Sequence, residues 1–132
     1  AKSIGISNAS VEQIDMAHGI LGDALVAVQN QFSPIHRETQ DTIDYTARLG
    51  LAFVCWSPLG GFRHPYDESL FDPVRQVAAA HGVSYQQVVL AWEMARGDHM
   101  FVLPGTHRKE TFLDSLASDQ LVLTQEELDY LD

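Results

Sequence analysis

The chain has 132 residues, 8 Lys plus Arg against 18 Asp plus Glu, a formal charge of −10, and 45% hydrophobic residues. That length fits one domain, and that apolar content excludes a disordered chain. The acidic balance argues against general nucleic-acid binding and against an anionic membrane surface; no apolar run approaches the ~20 residues of a membrane span.

The chain opens Ala1-Lys2-Ser3-Ile4-Gly5-Ile6, with no initiating Met, no signal-peptide pattern and a strand already under way. This is the expectation for a piece of something longer. Ser10-Val11-Glu12-Gln13 is a capping box, and Val11, Ile14, Ala17 and Leu21 follow at helical spacing up to a stop at Gly22. Residues 24–28, Ala-Leu-Val-Ala-Val, are too short and too apolar for a surface helix. They predict a strand buried on both faces, as in parallel sheets. Residues 30–37 read as a loop around Pro34, and 38–49 as a helix with Ile43 and Ala47 four apart and Gly50 past its end.

Residues 51–56 form the third buried strand, holding the lone Cys55, which reads as a small buried hydrophobe and is consistent with a reducing compartment. Ser57-Pro58-Leu59-Gly60-Gly61 must be a loop, running on through His64-Pro65-Tyr66. Residues 70–81 predict a helix ended by Gly82. Ser84-Tyr85-Gln86-Gln87 is a second capping box, opening a helix with the stripe Val88, Ala91, Trp92 and Ala95 and an end at Gly97. Residues 100–103 are the fourth strand, closed by Pro104-Gly105. Residues 109–116 read as helix, and Thr124-Gln125-Glu126-Glu127 caps the last one.

Strand and helix thus alternate four times, with an extra helix in the third connection. That order means an α/β fold with a parallel sheet, and no linker divides residues 1–132. Two architectures remain open, a doubly wound sheet and part of a (β/α) barrel. In both, ligands sit at strand C-terminal ends, where Ser7-Asn8, Gln29-Asn30, Trp56-Ser57 and Gly105-Thr106-His107-Arg108 fall.

The six His follow no metal-ligand spacing, and Gly-x-Ser-x-Gly, GxGxxG and Walker A patterns are absent. Three signals remain. Pro104-Gly105-Thr106-His107-Arg108-Lys109 joins a small-residue turn, a helix start and three cationic side chains, which suits a phosphate; it also suits a solvated turn. Trp56 is either one wall of a ligand pocket or core. Ser7 and Asn8 either bind an amide-bearing ligand or form a turn and N-cap.

Together these segments resemble the C-terminal half of an aldo-keto reductase. The resemblance runs through Ile4-Gly5-Ile6-Ser7-Asn8, Val28-Gln29-Asn30-Gln31-Phe32-Ser33-Pro34, Val54-Cys55-Trp56-Ser57-Pro58-Leu59-Gly60, Gln87-Val88-Val89-Leu90-Ala91-Trp92, Leu103-Pro104-Gly105-Thr106 and the Leu-Thr-x-Glu-Glu-Leu pattern after Leu121. It covers nearly the whole chain in order. It implies the second half of a (β/α)8 barrel, four parallel strands with flanking helices, as a single partial domain, and a cytoplasmic NADP(H)-dependent reductase of aldehydes or ketones.

By the same resemblance, Ser7, Asn8 and Gln29 hold the nicotinamide carboxamide and Trp56 stacks on its face. Ser57, Leu59 and Gly60 line the pyrophosphate path. Gly105, Thr106 and Arg108 approach the 2′-phosphate, and Asp114 approaches adenine. Ser115 stands where Asn is usual, and Thr111 where some members carry a phosphate-clamping Arg. The family's Asp, Tyr, Lys and His tetrad is not found, and Tyr45, Tyr66, Tyr85 and Tyr130 lie outside any tetrad motif. The expectation is therefore a cofactor-binding half with no catalytic residue of its own, completed by a missing N-terminal half. The alternative is a non-catalytic half-barrel module that self-associates.

Overall fold

A computed structural model describes residues 1–61 and 67–132, so the expected continuation of the third loop through His64-Pro65-Tyr66 lies outside the described residues. Four strands, β1 (Ile4–Ser7), β2 (Leu25–Gln31), β3 (Ala52–Trp56) and β4 (Met100–Leu103), form one sheet in the order β1-β2-β3-β4. Every pairing is parallel. The helices are α1 (Val11–Leu21), α2 (Gln40–Leu49), α3 (Asp72–His81), α4 (Tyr85–Met94), α5 (Lys109–Ala117) and α6 (Gln125–Leu131).

This strand order decides between the two architectures. Crossovers in parallel sheets are right-handed, so a sheet built in strict sequence order puts every helix on the same face. A doubly wound sheet must reverse its order somewhere to cover both faces. Here it never reverses. The strands are correspondingly not buried on both faces, as their apolar runs suggested. On the helix side Val28, Phe53 and Cys55 are fully buried, while Phe101 and Leu103 on the other face are 55% and 52% exposed. The apolar second face is the inward face of a barrel arc.

Local rules place most boundaries. Both Ser10 and Thr124 form complete capping boxes, and Gly50 and Gly82 end α2 and α3 in the left-handed conformation. The helix expected over 70–81 divides: a 3-10 turn at Glu68–Phe71 precedes α3, whose first turn contains Pro73, the one helical region that tolerates a missing N–H. In α2 the buried stripe is Thr42, Ile43 and Thr46, while Ala47 is exposed. The Thr46 hydroxyl donates to the carbonyls of Thr42 and Ile43, which lets a polar side chain enter the core.

Helix α4 is buried from Gln87 to Glu93, more than its expected stripe, because α3 and α5 pack around it. Beside it the Phe32 and Trp92 rings stack at 5.6 Å, and the Arg96 guanidinium lies 3.9 Å from the Trp92 ring centroid. Trp92 Nε1 and Arg96 both donate to the Asp132 carboxylate at 2.9 and 2.5 Å, tying down the end of α6.

Glu93 is the costly residue of this core. It is fully buried, and neither carboxyl oxygen makes a well-formed hydrogen bond among the described residues. Burial holds its pKa well above the usual 4.5, with Cys55 and Arg96 offsetting only part of that shift. Folding therefore favours the protonated form. The stability is fully present below pH 4.5 and is lost as pH rises toward the raised folded value. Glu93→Gln should raise stability at pH 8 by about 1–3 kcal/mol and flatten its decline with pH in urea titrations. Equal stability of the two proteins from pH 4.5 to 9 would contradict this account.

Candidate functional site

Parallel strands deliver their C-terminal ends to one rim of the sheet. Register sets Ser7 beside Gln29, and Gln29 beside Val54. One step further along, Gln31, Trp56 and Leu103 form the next row. Neighbours in a row stand ~4.8 Å apart, so Ser7, Gln29 and Trp56 share a small area of the open face. The loop expected from residue 30 begins later, because β2 continues to Gln31. Asn30 is only 2% exposed: its Oδ1 accepts from Ala9 N at 3.0 Å and its Nδ2 donates to Ala9 O at 2.8 Å. A polar residue in phase with Val28 on the buried face was the available signal. Its amide replaces a missing backbone partner for the turn after β1.

Two turn residues at this rim adopt left-handed backbone without being glycine. Asn8 has φ 54° and Ser57 has φ 50°. Such strain is concentrated at functional sites, and Asn tolerates it better than most. Trp56 is half-buried, and its Nε1 donates to Asn8 Oδ1 at 3.2 Å. The Ser57 carbonyl accepts from Gly60 N at 3.0 Å and closes the loop after β3. Gly60 has φ 89°, and a Cβ there would meet Ile35 Cδ1 at 2.8 Å, so this turn requires glycine.

Three grooves join along the rim. The first, about 360 Å³, runs from Asn8 past His36 to Trp56. The second, about 590 Å³, is lined by Trp56, Ser57, Pro58, Leu59 and the Leu103-Pro104-Gly105 turn. The third, also about 590 Å³, takes in Leu59, Gly105, Thr106, Arg108, Thr111 and Asp114, with Ser84 and Gln86. Trp56 borders the first two grooves and Leu59 and Gly105 the last two, so the three adjoin along the rim. Asn8, Trp56, Ser57, Leu59, Gly105, Thr106, Arg108 and Asp114 line these grooves. Ser7 and Gln29 stand on the open face beside the first, and Gly60 lines none of the three, its neighbour Gly61 lining the second instead.

The far end holds Arg108 and His107 together with the carboxylates Glu110 and Asp114. Arg108 occupies the N-cap position of α5 with no side-chain cap, and neither it, His107 nor Lys109 enters an ion pair among the described residues. The Thr106 and Thr111 hydroxyls are hydrogen-bonded to each other, and Thr111 donates to the Arg108 carbonyl at 2.9 Å. This small network shapes the turn and leaves the guanidinium free at the positive end of a helix.

Asp114 is differently placed. Its two oxygens accept from Ser84 Oγ at 2.5 Å and Gln87 Nε2 at 2.7 Å. Ser84 caps α4 as expected, but the second capping box is only half formed, because the Gln87 side chain reaches this carboxylate rather than the Ser84 backbone. A charged acceptor makes the stronger bond. Among the described residues no group of three or more His, Cys, Asp and Glu could hold a metal, and no helix is long and apolar enough to cross a membrane.

Comparison with known proteins gives a consistent picture. The model of the Aldo/keto reductase family matches residues 1–132. The chain is 36% identical over 131 residues to pyridoxine 4-dehydrogenase of Escherichia coli, covering 99% of this chain and 44% of that protein. It is 33% identical over 101 residues to 6-dehydroglucose reductase of Novosphingobium aromaticivorans, covering 71% of this chain and 33% of the relative. Among solved structures it superposes on the thermostable aldo-keto reductase Tm1743, bound to the inhibitor epalrestat, with a TM-score of 0.90 and 24% identity over 98% of this chain and 47% of that one. A Gox0644 mutant in complex with NADPH gives a TM-score of 0.80 at 22% identity, covering 98% and 45%. The chain thus spans less than half the length of these relatives.

The bonds of Asp114 make a prediction that involves no ligand. Asp114→Ala should destabilise the fold by about 1–3 kcal/mol, since Ser84 and Gln87 lose a charged acceptor. Asp114→Asn, which keeps one acceptor, should lose roughly half as much. Urea denaturation of the ligand-free protein measures both; an unchanged midpoint for Asp114→Ala would show that these bonds hold nothing.

Proposed function

The chain belongs to the aldo-keto reductase family, and from that premise we propose that it is the cofactor-binding half of an NADP(H)-dependent reductase of aldehydes or ketones. The observation that supports this reading is the run of adjoining grooves from Asn8 to Asp114, polar and amide-lined at one end and holding the Arg108 guanidinium at the other. A nicotinamide dinucleotide has the same order of groups: carboxamide and flat ring, pyrophosphate, then 2′-phosphate and adenine. Ser7, Asn8 and Gln29 receive the carboxamide, and Trp56 supplies the face for the ring. Ser57, Leu59 and Gly105 line the pyrophosphate stretch, and Gly60 shapes the turn beside it. Thr106 and Arg108 meet the 2′-phosphate. Asp114 approaches adenine while bracing Ser84 and Gln87.

When bound, the cofactor supplies hydride to a carbonyl carbon. The carbonyl oxygen then needs a proton from a positioned acid. No described tyrosine is placed for that. Tyr45 OH donates to Asp15 at 2.6 Å, a bond that raises its pKa, opposite to the shift an acid catalyst needs. Tyr130 OH donates to Gln76, and the Tyr85 ring packs against Phe71 beneath Arg75. In this reading residues 1–132 are one partial domain, and the proton-donating set lies in the rest of the parent enzyme. A reducing, cytoplasmic setting fits the buried free thiol of Cys55.

A second reading rests on exposed apolar side chains. Met16 and Ile20 on α1 are 67% and 77% exposed, and Phe112 and Leu116 on α5 are 53% and 56% exposed. With Phe101 and Leu103 they coat both flanks and the open face. Patches of this kind mark interfaces. The remainder of the parent barrel covers them; in its absence a second copy does. The 132-residue chain alone should sediment as a dimer or larger at micromolar concentration, and a stable folded monomer would contradict this.

Alone, it should also show no NADPH-dependent turnover of a reactive aldehyde, whereas steady turnover by contaminant-free protein would place the acid within these residues. In the complete protein, Arg108→Ala should erase most of the preference for NADPH over NADH. A guanidinium–phosphate bond is worth ~1.5–3 kcal/mol, roughly ten- to a hundredfold in affinity. Equal weakening of both cofactors would assign Arg108 to structure alone.

A further inference from the structure

We infer that Trp56 is a positioning residue as well as a pocket wall: its indole N–H fixes the orientation of the Asn8 side-chain amide, and thereby decides which ligand atom Asn8 receives. The inference rests on the cofactor reading above and adds a device within that site. Indole nitrogen is a donor with no acceptor capacity. Because Trp56 Nε1 donates to Asn8 Oδ1 at 3.2 Å, the amide is held with its oxygen toward the indole. Asn8 Nδ2 is turned the other way and has no hydrogen-bond partner among the described residues. A flipped amide would set donor against donor.

The backbone leaves Asn8 little freedom to adjust. Its φ is 54°, and its N–H donates to the Gln29 carbonyl at 3.0 Å. The next residue, Ala9, has both backbone groups engaged by the buried Asn30 amide, which also donates to Thr42 at 3.2 Å. The turn is therefore held from behind by Asn30 and its one exposed amide is held from the side by Trp56. Asn8 consequently turns its N–H donors toward the groove, while its oxygen is held toward the indole. It selects a carbonyl oxygen, such as that of a carboxamide. Ser7 and Gln29, neighbours in register, leave the carboxamide nitrogen to be met by their own oxygens. A phenylalanine at position 56 keeps a flat face for the ring and abandons this control.

Substitutions separate the two roles of Trp56. Trp56→Phe keeps the aromatic face and removes the donor. Asn8→Asp keeps the acceptor for the indole and removes the donors to the ligand. In the complete protein carrying this sequence, NADPH affinity measured by calorimetry should fall roughly two- to tenfold for Trp56→Phe. Asn8→Ala should weaken binding several-fold beside Trp56 and much less beside Phe, the non-additivity of a coupled pair. In ligand-free protein, the Trp56 indole N–H resonance should lose its protection from solvent exchange in Asn8→Ala and keep it in Asn8→Asp. The Trp92 resonance, bonded to Asp132, should stay fixed as the internal control. Additive losses, or an indole resonance indifferent to Asn8→Ala, would overturn the inference while leaving cofactor binding intact. Failure of the unsubstituted protein to bind either NADPH or NADH would overturn the cofactor reading itself, and this inference with it.

Discussion

Parallel pairing in strict sequence order is the constraint on which the rest depends. It sends all four strand ends to one rim, so residues far apart in sequence meet there without any loop having to reach. Ser7, Gln29 and Trp56 are brought together by register alone. The same order places every helix on one face and leaves the other face bare. Site and open face are thus two consequences of one topology. The rim is useful because the strands are parallel, and the chain needs a covering partner for the same reason.

Around that rim, polar groups fall into two sets. Those that build the site are satisfied by protein: Asn30 by Ala9 and Thr42, Asp114 by Ser84 and Gln87, Thr111 by Thr106 and Arg108. Those that face the grooves have no hydrogen-bond partner among the described residues, as with Asn8 Nδ2 and the Arg108 guanidinium. A folded protein normally pairs its buried polar groups and leaves binding groups unpaired but oriented. Orientation is costly in entropy, and here it is met by stiff parts: a left-handed Asn8, a Gly60 turn closed on Ser57, and a helix N-terminus at Arg108. Glu93 breaks the pattern, being fully buried with neither carboxyl oxygen in a well-formed hydrogen bond among the described residues. Nothing in the site uses it.

Much of this was legible in the amino-acid sequence because local rules act locally. The capping boxes at Ser10 and Thr124, the glycine stops at Gly50 and Gly82, and the strand at 100–103 follow from a few adjacent residues. The quoted motif segments also placed the candidate residues on one rim, because their spacing fits strand–loop units. What escaped depends on contacts distant in sequence. Asn30 looked like a loop residue because an amide in a strand is unfavourable until the Ala9 backbone arrives to satisfy it. Gln87 looked like a capping residue because nothing nearby announces Asp114. The strands looked buried on both faces because apolar composition records what a face needs, and the second covering layer is not made by these residues. Nothing in the sequence around Glu93 announces that its position faces Cys55.

The claim that ties these elements together is that one ligand lies along the whole rim. Backbone amide chemical-shift mapping during titration with NADPH tests it most directly. The account predicts perturbations at Ser7, Asn8 and Gln29, through Trp56 to Gly61, and from Gly105 to Asp114, with α1, α2 and α6 unmoved. Shifts confined to one groove, scattered over the outer helices, or absent at saturating NADPH would contradict it.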